Sequence, residues 1–371
     1  MTSAPGVTAE APGSHRSAAG GNWTLTWRDL QWRRRRFAFG VLGTALVFAV
    51  TLLLAGLSAA LGGEADRAVQ AVGADSWMVR EGANGPFSSL SAMPDTTVAR
   101  VAAAPGVTQA DGLIVAFGTT GGAREVDVTI IGYRPGGLGP PVPTAGRQPT
   151  RPGEALVDRA TGYAVGDQFT LSGQQFAVVG EVRYMTLRGG VGNIYLNLRD
   201  AQSVLFKGNR IVTTIVTKGT PADPAALGLN AIDSRAARAD LLRLFDKALD
   251  GIDVLRLLLW LVAIAVVGTT IYLSVLERIQ DFAVLKAIGI SSGALMASLT
   301  LQAVVVSTAA AATALGLAYA IAPAFPMPIY LAPSTSVTLV GISVAIGLGA
   351  SIAGLRKAVG VDPAVAFGAG V

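Results

Sequence analysis

The sequence predicts an α-helical membrane protein with four transmembrane helices and an extracytoplasmic α+β domain inserted between helices 1 and 2. Three observations predict this fold: four long apolar stretches, a polar segment of nearly 200 residues between the first two, and a positive charge excess beside the apolar stretches. The composition agrees, because 51% of the residues are hydrophobic and 14% are charged, whereas soluble domains average about 25% charged residues.

The N-terminal 36 residues divide into two parts. Residues 1–21 are rich in Ala, Gly, Ser and Pro, which predicts a disordered cytoplasmic tail. Residues 22–36 predict a cytoplasmic interfacial helix, in which Trp23 and Trp27 share one face and Arg33, Arg34, Arg35 and Arg36 end the segment. A simple anchor and a coupling role both fit this helix.

Residues 37–61 are predicted to form transmembrane helix 1. A cleaved secretory signal is the alternative, since basic residues precede the stretch and small residues end it. The apolar region exceeds the ~7 to 15 residues of a signal, and a long polar leader precedes it. These features favour a retained membrane helix.

Residues 62–256 predict the extracytoplasmic α+β domain with a stalk. The chain has no cysteine, so the stability of this domain must come from its own core. Strands are predicted from short runs rich in β-branched and aromatic residues, and helices from two further runs ended by turn residues. The predicted strands are 76–79, 108–117, 125–133, 168–171, 175–182, 193–196 and 211–217, and the helices are 95–104 and 199–206.

An apolar stripe predicts that the stalk enters the second span as a helix. Its members, at spacings of three and four, are Leu241, Phe245, Ala248, Ile252 and Leu255. Residues 61–72 are predicted to extend the first span outwards as a second helical stalk. The alternative is that both stretches simply pack on the outer domain.

The C-terminal third predicts three further membrane helices. Residues 257–276 contain no Asp, Glu, Lys, Arg or His over twenty positions, enough to cross the hydrocarbon core. Prolines between 323 and 333 divide the next uncharged run. The predicted segments are transmembrane helix 2 (257–276), a cytoplasmic coupling loop (277–294), helix 3 (295–322), an outer loop (323–335), helix 4 (336–355) and a cytoplasmic tail (356–371).

The charge distribution predicts the topology. The two termini and the coupling loop together carry ten Lys and Arg but five Asp and Glu, whereas residues 62–256 carry 19 of each sign. By the positive-inside rule, both termini are predicted to lie in the cytoplasm and the large domain outside. The basic excess suits lipid headgroups, so nucleic acid is not an expected partner.

Several chemistries are not expected of this chain. One histidine and no cysteine argue against a His-based triad, a thiol nucleophile and a typical zinc site. Carboxylates such as Glu154, Asp158 and Glu181 are predicted to be surface or salt-bridge residues. No phosphate-binding loop of the G-x-x-x-x-G-K-[ST] type occurs, so any ATPase must be a separate chain. No catalytic residue, metal or resident cofactor is predicted.

The coupling loop contains a charged amphipathic segment, ERIQDFAVLKAIG, at residues 277–289. Acidic residues near its start and Lys286 near its end match the dipole of a helix, and Gly289 suits its end. Ile279, Phe282, Ala283 and Leu285 offer apolar contacts. A coupling helix and a plain cytoplasmic hairpin fit these features equally.

This segment resembles the signature E-R-x-x-[DE]-[FI]-[AG]-x-L-[KR]-A-x-G of FtsX/MacB-type permeases of ATP-binding cassette (ABC) systems. With Gln302 downstream, LKAIG is most similar to the DevC-like branch, and Val361-Asp362-Pro363-Ala364 resembles the family's tail. The resemblance implies that the loop contacts the ATPase subunit. The residues implied in this coupling are Glu277, Arg278, Asp281, Phe282, Leu285, Lys286 and Gly289.

The resemblance also implies the partners: a cognate ABC ATPase that binds ATP and Mg, a second copy or a pseudo-symmetric relative of this chain, membrane lipids, and an extracytoplasmic docking protein. Two functions compete. One is export or extraction of a lipid, glycolipid or other amphiphile, and the other is mechanotransmission to an extracytoplasmic enzyme without transport. A membrane-anchored sensor without an ATPase is a third class, for which the motif would be accidental.

Overall fold

The computed structural model describes residues 34–89, 91–122, 124–276, 284, 288, 292–325, 329 and 331–359. In chain order the elements are α1 (Arg34–Val72), β1 (Ser76–Arg80), β2 (Met93–Pro94), α2 (Thr96–Ala102), β3 (Val107–Thr119), β4 (Asp127–Tyr133), β5 (Ala145–Gly146), β6 (Glu154–Asp158), β7 (Gln168–Leu171), β8 (Gln174–Val182), β9 (Asn193–Asn197), α3 (Leu198–Phe206), β10 (Ile211–Val212), β11 (Thr214–Gly219), β12 (Leu229–Asp233), α4 (Ser234–Arg243), α5 (Asp246–Leu276), α6 (Ser292–Ile321) and α7 (Pro333–Val359).

The chain divides into two compact units. The sheet unit comprises Leu54–Leu255 and Ala322–Tyr330. The helical unit comprises the described residues in three other parts of the chain: those before Leu54, those within Arg256–Ile321 and those after Tyr330. The helices α1 and α5 each contribute to both units.

Three described helices are long and apolar enough to cross a membrane: Ala38–Val72, Asp246–Thr270 and Thr300–Ala324. The fourth predicted span lies within α7, of which the apolar part in the searched residues is Pro333–Gly349, shorter than a full span. The membrane-protein class is therefore supported, and the count of four stays a prediction.

Within the helical unit, α1 and α5 pack antiparallel. The rings of Phe48 and Trp260 lie 5.7 Å apart, and a Cβ on Gly40 would lie 3.0 Å from Thr270. This packing does not fix where the first span ends, so the bounds 37–61 stay a prediction.

The sheet unit is built on one large, bent sheet. The strand order is β12-β1-β11-β3-β4-β9-β6-β8-β5, and β7 pairs with the free side of β8. β3 joins the two halves: its first part pairs with β11 and its second part with β4, all antiparallel. A separate pair, β2 with β10, flanks this sheet.

The two faces of the sheet are covered by different helices. One face packs against α2 and α3, where Val98, Val101 and Ala201 join the core. The other face packs against the end of α1 and against α4, where Val69 and Leu241 join a core centred on Trp77. The α+β class predicted for this domain is confirmed, and most predicted strands and both predicted helices lie within two residues of the observed ones.

The structure adds strands that the sequence did not suggest. β2, β5, β6 and β12 are either two residues long or flanked by charged residues that conceal the alternation. β6 is buried at all five positions, as expected for a strand inside a mixed sheet rather than at an edge.

The predicted stalk stripe is correct in part. α4 ends at Arg243 and α5 begins at Asp246, so a turn interrupts the helix. In the sheet unit Phe245 and Leu249 pack against a small cluster formed by Ala60 and Leu61 of α1. Ala248 and Leu255, in contrast, do not join this contact, and Leu255 is 52% exposed. Because the helix is interrupted at 244–245, Leu249 takes the place in the contact that the predicted stripe gave to Ala248. The prediction assumed one continuous helix with apolar residues at spacings of three and four.

Candidate functional site

The coupling loop lies between the end of α5 at Leu276 and the start of α6 at Ser292. Trp23, Trp27 and Arg33 fall outside the described residues. All the predicted coupling residues also fall outside them: Glu277, Arg278, Asp281, Phe282, Leu285, Lys286 and Gly289. Arg34, Arg35 and Arg36 form the first turn of α1, and nothing further is described of their side chains.

Two described residues of the loop carry a helical signature. The backbone N–H of Ile288 donates to the carbonyl of Val284 at 3.0 Å, the i to i−4 bond of an α-helix. Both side chains are strongly exposed, Val284 by 45% and Ile288 by 74%. The sequence reasoning did not single out this pair, although its i, i+4 spacing puts both residues on one helix face. The turn can present that apolar face to a partner protein.

A second constellation lies in the sheet unit, at the loop between β8 and β9. We call residues 183–192 the β8–β9 loop. From one side, α1 holds this loop: Arg67 Nε donates to the carbonyl of Tyr184 at 3.2 Å. One turn earlier, the Glu64 carboxylate, 2% exposed, accepts the N–H of Gly190 at 3.4 Å.

From the other side, the sheet holds the same loop through Asp158 at the end of β6. Its two carboxylate oxygens accept the backbone N–H groups of Ala160 and Met185, each at 2.7 Å. Burial raises the pKa of the Asp158 carboxyl above its ordinary value, against the effect of these two hydrogen bonds. The loop is thus fixed at its centre between a helix and a strand.

The outward side of the β8–β9 loop carries an aromatic and a cationic group. Tyr184 has a φ of 61° and a side chain that is 55% exposed. The guanidinium of Arg188 stacks over the ring of Phe117 at 4.4 Å, and Phe117 is itself 44% exposed. Exposed Tyr and Arg side chains are typical of protein contact surfaces.

On the opposite flank, α4 fixes the same part of α1. Asp66 accepts Arg238 Nε at 2.5 Å. Asp240, on α4 in the core, accepts the backbone N–H of Phe87 at 2.8 Å and that of Ser88 at 3.1 Å, together with the Ser88 hydroxyl. The extension of α1 is therefore bound on both flanks.

The carboxylates noted in the sequence have structural partners. Glu154 forms a two-pronged ion pair with Arg147, at 2.5 and 2.7 Å, and Glu181 pairs with Arg183 at 3.6 Å. The Arg147 guanidinium, aided by backbone N–H donors, lowers the pKa of Glu154 to about 2. Among the described residues, no group of three or more His, Cys, Asp or Glu side chains is arranged to hold a metal ion.

Sequence comparisons match both parts of the chain. Residues 254–363 match the family described as FtsX-like permease C-terminal, and residues 40–231 match the MacB-like periplasmic core domain. The uncharacterised ABC transporter permease Rv2563 of Mycobacterium tuberculosis is 39% identical over 342 residues, which cover 92% of this chain and 98% of the relative. A second such permease of that organism, Rv0072, is 38% identical over 346 residues with the same coverage.

Comparison with solved structures finds more distant likenesses. The extracellular domain of the noncanonical ABC-type transporter YknZ from Gram-positive bacteria covers 42% of this chain and 88% of its own, with 14% identity and a TM-score of 0.32. The periplasmic region of MacB from Actinobacillus actinomycetemcomitans covers 46% and 94%, with 12% identity and a TM-score of 0.33.

Proposed function

This chain belongs to the FtsX/MacB-type family of ABC transporter permeases, and we propose that it couples ATP hydrolysis by a separate ATPase to the export or extraction of a lipid, glycolipid or other amphiphile at the outer face. Membership implies a partner ATPase subunit and a place in the cytoplasmic membrane. The cargo class, the topology with both termini inside and the assembly as a homodimer or pseudo-symmetric heterodimer are parts of this proposal.

The observation that carries the proposal is the segment between α5 and α6, which joins the family motif to an exposed apolar helical turn. Val284 and Ile288 leave apolar side chains exposed on this turn. Two neighbouring apolar side chains on a helix face are a suitable contact for a groove in an ATPase. The charged residues around them, from Glu277 to Lys286, would set the orientation of that contact.

In the proposed mechanism, closure of the ATPase dimer around ATP presses on the coupling loop. The loop joins α5 to α6 in the chain, so the force tilts these helices. α1 and α5 are packed antiparallel at Phe48 and Trp260, so movement of α5 is passed to α1. Both helices extend into the sheet unit, where cargo is gripped or released. The protein in this mechanism supplies movement, and the ATPase supplies the chemistry of hydrolysis.

Mechanotransmission without transport is the second candidate. The fixed attachment of α1 to the β8–β9 loop favours it as much as export, because either function needs movement to reach the outer domain. Export is preferred because the loop motif is most similar to the DevC-like branch, and because the outer domain is larger than simple docking needs.

Crosslinking at the coupling loop tests the proposal. The chain has no cysteine, so Ile288→Cys introduces a single thiol at a position that is 74% exposed. In native membranes, a bifunctional thiol-to-amine reagent is expected to capture an ABC ATPase, and the yield is expected to change when nucleotide is trapped with vanadate.

The control is Val142→Cys, which puts a thiol at an 84% exposed position of the sheet unit. It is expected to react with an external impermeant reagent and to capture no ATPase. Failure to capture an ATPase at position 288, under conditions in which the thiol at position 142 reacts normally, would refute the proposed coupling and favour a membrane-anchored sensor.

Lipid release separates the two candidate functions. Proteoliposomes that contain the permease, its ATPase and a fluorescent phospholipid in the outer leaflet are supplied with ATP and an acceptor protein. ATP-dependent transfer of the label supports export. ATP hydrolysis without transfer, together with nucleotide-dependent movement of the outer domain, supports mechanotransmission.

A further inference from the structure

Polar side chains of three neighbouring strands form a buried row on the sheet face that α1 covers. Thr129 of β4 lies opposite Asn193 of β9 in the parallel ladder. Asp158, at the end of β6 on the other side of β9, continues the row beyond Asn193. Each of the three is at most 1% exposed. Their neighbours Val128 and Ile194 belong to the core on the opposite face, so the row itself points towards α1.

The β8–β9 loop covers both ends of this row. At one end, the carbonyl of Gly192 accepts the backbone N–H of Thr129 at 3.1 Å. At the other end, the carboxylate of Asp158 accepts the backbone N–H of Met185 at 2.7 Å. The loop and α1 together therefore enclose the row and exclude solvent from it.

A second carboxylate reaches the loop from α1. Glu64, 2% exposed, accepts the N–H of Gly190 and lies near enough to Asp158 for the two negative charges to repel each other. No Lys or Arg nitrogen in the described part of the chain lies within 4.0 Å of either carboxylate. Buried charges without an ion-pair partner are costly, so a positive ligand beside them would stabilise the fold. Four residues form what we call the buried polar cluster: Glu64, Thr129, Asp158 and Asn193.

Three oxygen atoms of the buried polar cluster have no hydrogen-bond partner within the described residues: Glu64 Oε2, Thr129 Oγ1 and Asn193 Oδ1. The amide nitrogen of Asn193 donates to the Tyr195 hydroxyl at 3.2 Å, which leaves the amide oxygen for another partner. Buried polar atoms are nearly always paired, whether with protein, ordered water or an ion. Water could satisfy the three oxygens, but only a cation would satisfy them and also compensate the two carboxylates.

We propose that the buried polar cluster binds one Ca²⁺ ion, with Glu64 Oε2, Thr129 Oγ1 and Asn193 Oδ1 as ligands and Asp158 as a second negative charge beside it. Carboxylate, amide and hydroxyl oxygens suit a hard cation, and Ca²⁺ takes most of its ligands from the protein, whereas Mg²⁺ keeps several waters. With two carboxylates rather than three or more, the site is expected to be weak, with a Kd of about 10⁻⁴ to 10⁻³ M, as in extracellular Ca²⁺ modules.

The bound ion would join three parts of the sheet unit: α1 through Glu64, the sheet through Thr129 and Asn193, and the β8–β9 loop that encloses them. Its expected effect is to stabilise this loop, which carries the exposed side chains of Tyr184 and Arg188. The inference goes beyond the proposed function, because it needs neither the ATPase nor a cargo.

Terbium luminescence tests this site in the full-length chain in detergent. Tb³⁺ replaces Ca²⁺ at oxygen sites and emits when a nearby aromatic ring is excited. Tyr195, hydrogen-bonded to Asn193, is a suitable ring. The expected result is saturable Tb³⁺ emission that Ca²⁺ displaces, whereas Mg²⁺ and Na⁺ at the same concentration displace much less.

Three substitutions assign the emission to the cluster. Glu64→Gln removes the charge but keeps an oxygen for the Gly190 N–H, and it should weaken Tb³⁺ and Ca²⁺ binding by about tenfold or more. Thr129→Val removes the hydroxyl at nearly constant volume and should weaken binding by roughly fivefold. Glu125→Gln changes an exposed glutamate of the same unit and should leave binding unchanged.

Unfolding midpoints give a second readout that a purely structural role of Glu64 would not produce. Saturating Ca²⁺ should raise the midpoint of the wild type and of Glu125→Gln, because the ion binds the folded state. It should leave the midpoint of Glu64→Gln nearly unchanged. In a chelator, Glu64→Gln should unfold at the same temperature as the wild type or higher, since it removes an uncompensated buried charge.

Two outcomes would overturn the inference. One is Ca²⁺ that neither displaces Tb³⁺ nor raises the wild-type midpoint, which would assign the three oxygens to ordered water. The other is equal Ca²⁺ binding by the wild type and Glu64→Gln, which would place the ion elsewhere on the protein. Crosslinking to the ATPase at position 288 is a separate measurement, so failure of this site and failure of the proposed function are distinguishable.

Discussion

Asp240 shows how one buried side chain determines the conformation of a distant loop. It is 1% exposed and serves two backbone N–H groups and a hydroxyl from residues 87–88, about 150 positions earlier in the chain. Its removal would leave the Phe87 N–H buried and unpaired, at a cost of about 1 to 3 kcal/mol, and would also break the two bonds to Ser88.

Asp240→Ala is therefore expected to destabilise the sheet unit by about 3 kcal/mol, a decrease of roughly 6 to 12 °C in the unfolding midpoint for a domain of this size. The measurement is thermal unfolding of the full chain in detergent, followed by tryptophan fluorescence, to which Trp77, packed on Phe87, contributes. Asp240→Asn retains an acceptor oxygen, so its unfolding midpoint should decrease less than that of Asp240→Ala. Equal midpoints for Ala and Asn would contradict this assignment.

The ion pair of Glu154 with Arg147 gives a pH-dependent prediction. The pKa of Glu154 is lowered from 4.5 to about 2, chiefly by Arg147. A carboxylate whose pKa is lowered on folding stabilises the fold fully above its ordinary pKa, and the stabilisation is lost as the pH falls through the folded value. Glu154→Gln should therefore lower the unfolding midpoint at pH 7, and its difference from wild type should vanish as the pH falls to about 2.

Unfolding midpoints of both proteins between about pH 2 and pH 7 check this prediction. Arg151→Gln is a suitable control, because Arg151 contributes its backbone N–H to Glu154 and its side chain is exposed. A constant difference between wild type and Glu154→Gln over the whole range would show that the ion pair does not set this pKa.

Small residues determine how the helices α6 and α7 pack. A Cβ on Gly347 would lie 2.6 Å from the Ser307 hydroxyl and 3.0 Å from the Ala303 carbonyl. Ser343, one turn earlier, is also fully buried. Ser343, Gly347 and Ser351 lie at intervals of four, a spacing of small residues that favours close helix contacts, and Gly347 makes such a contact with α6. Gly349 has nothing within 4 Å of its Cβ position.

Gly347→Leu is expected to separate α6 from α7 and to destabilise the helical unit by about 1 to 3 kcal/mol, the usual cost of overpacking. Gly349→Leu is the matched control in the same helix and should have little effect on the monomer. The check is the fraction of protein that remains monodisperse in size-exclusion chromatography after heating in detergent. Equal losses for the two variants would argue against direct α6–α7 packing at Gly347.

The distribution of charge along the entire chain predicts the orientation in the membrane. The excess of basic over acidic residues lies in the termini and the coupling loop taken together, which should therefore lie in the cytoplasm. In intact cells, an impermeant maleimide is expected to label Val142→Cys and to leave Ser3→Cys unlabelled until the membrane is permeabilised. Labelling of position 3 in intact cells would contradict the predicted topology.

Local sequence patterns were sufficient to predict the class of this protein. Long uncharged runs identify membrane helices because the hydrocarbon core excludes charge and demands satisfied backbone bonds, and both requirements are local. The α+β class followed in the same way from local alternation. The coupling motif was recognised from spacing within thirteen residues. Each of these features depends on neighbours in sequence, so reading along the chain suffices.

The attachment of the outer domain to α1 follows only from three-dimensional packing. The contacts of Glu64 with Gly190, Arg67 with Tyr184 and Asp240 with Phe87 join positions separated by 126, 117 and 153 residues. In the sequence nothing distinguishes these side chains from other charged residues, which usually lie at the surface. The burial of Glu64 and Asp240 follows from strand order and from the packing of α1 and α4 on one sheet face, which no local pattern encodes.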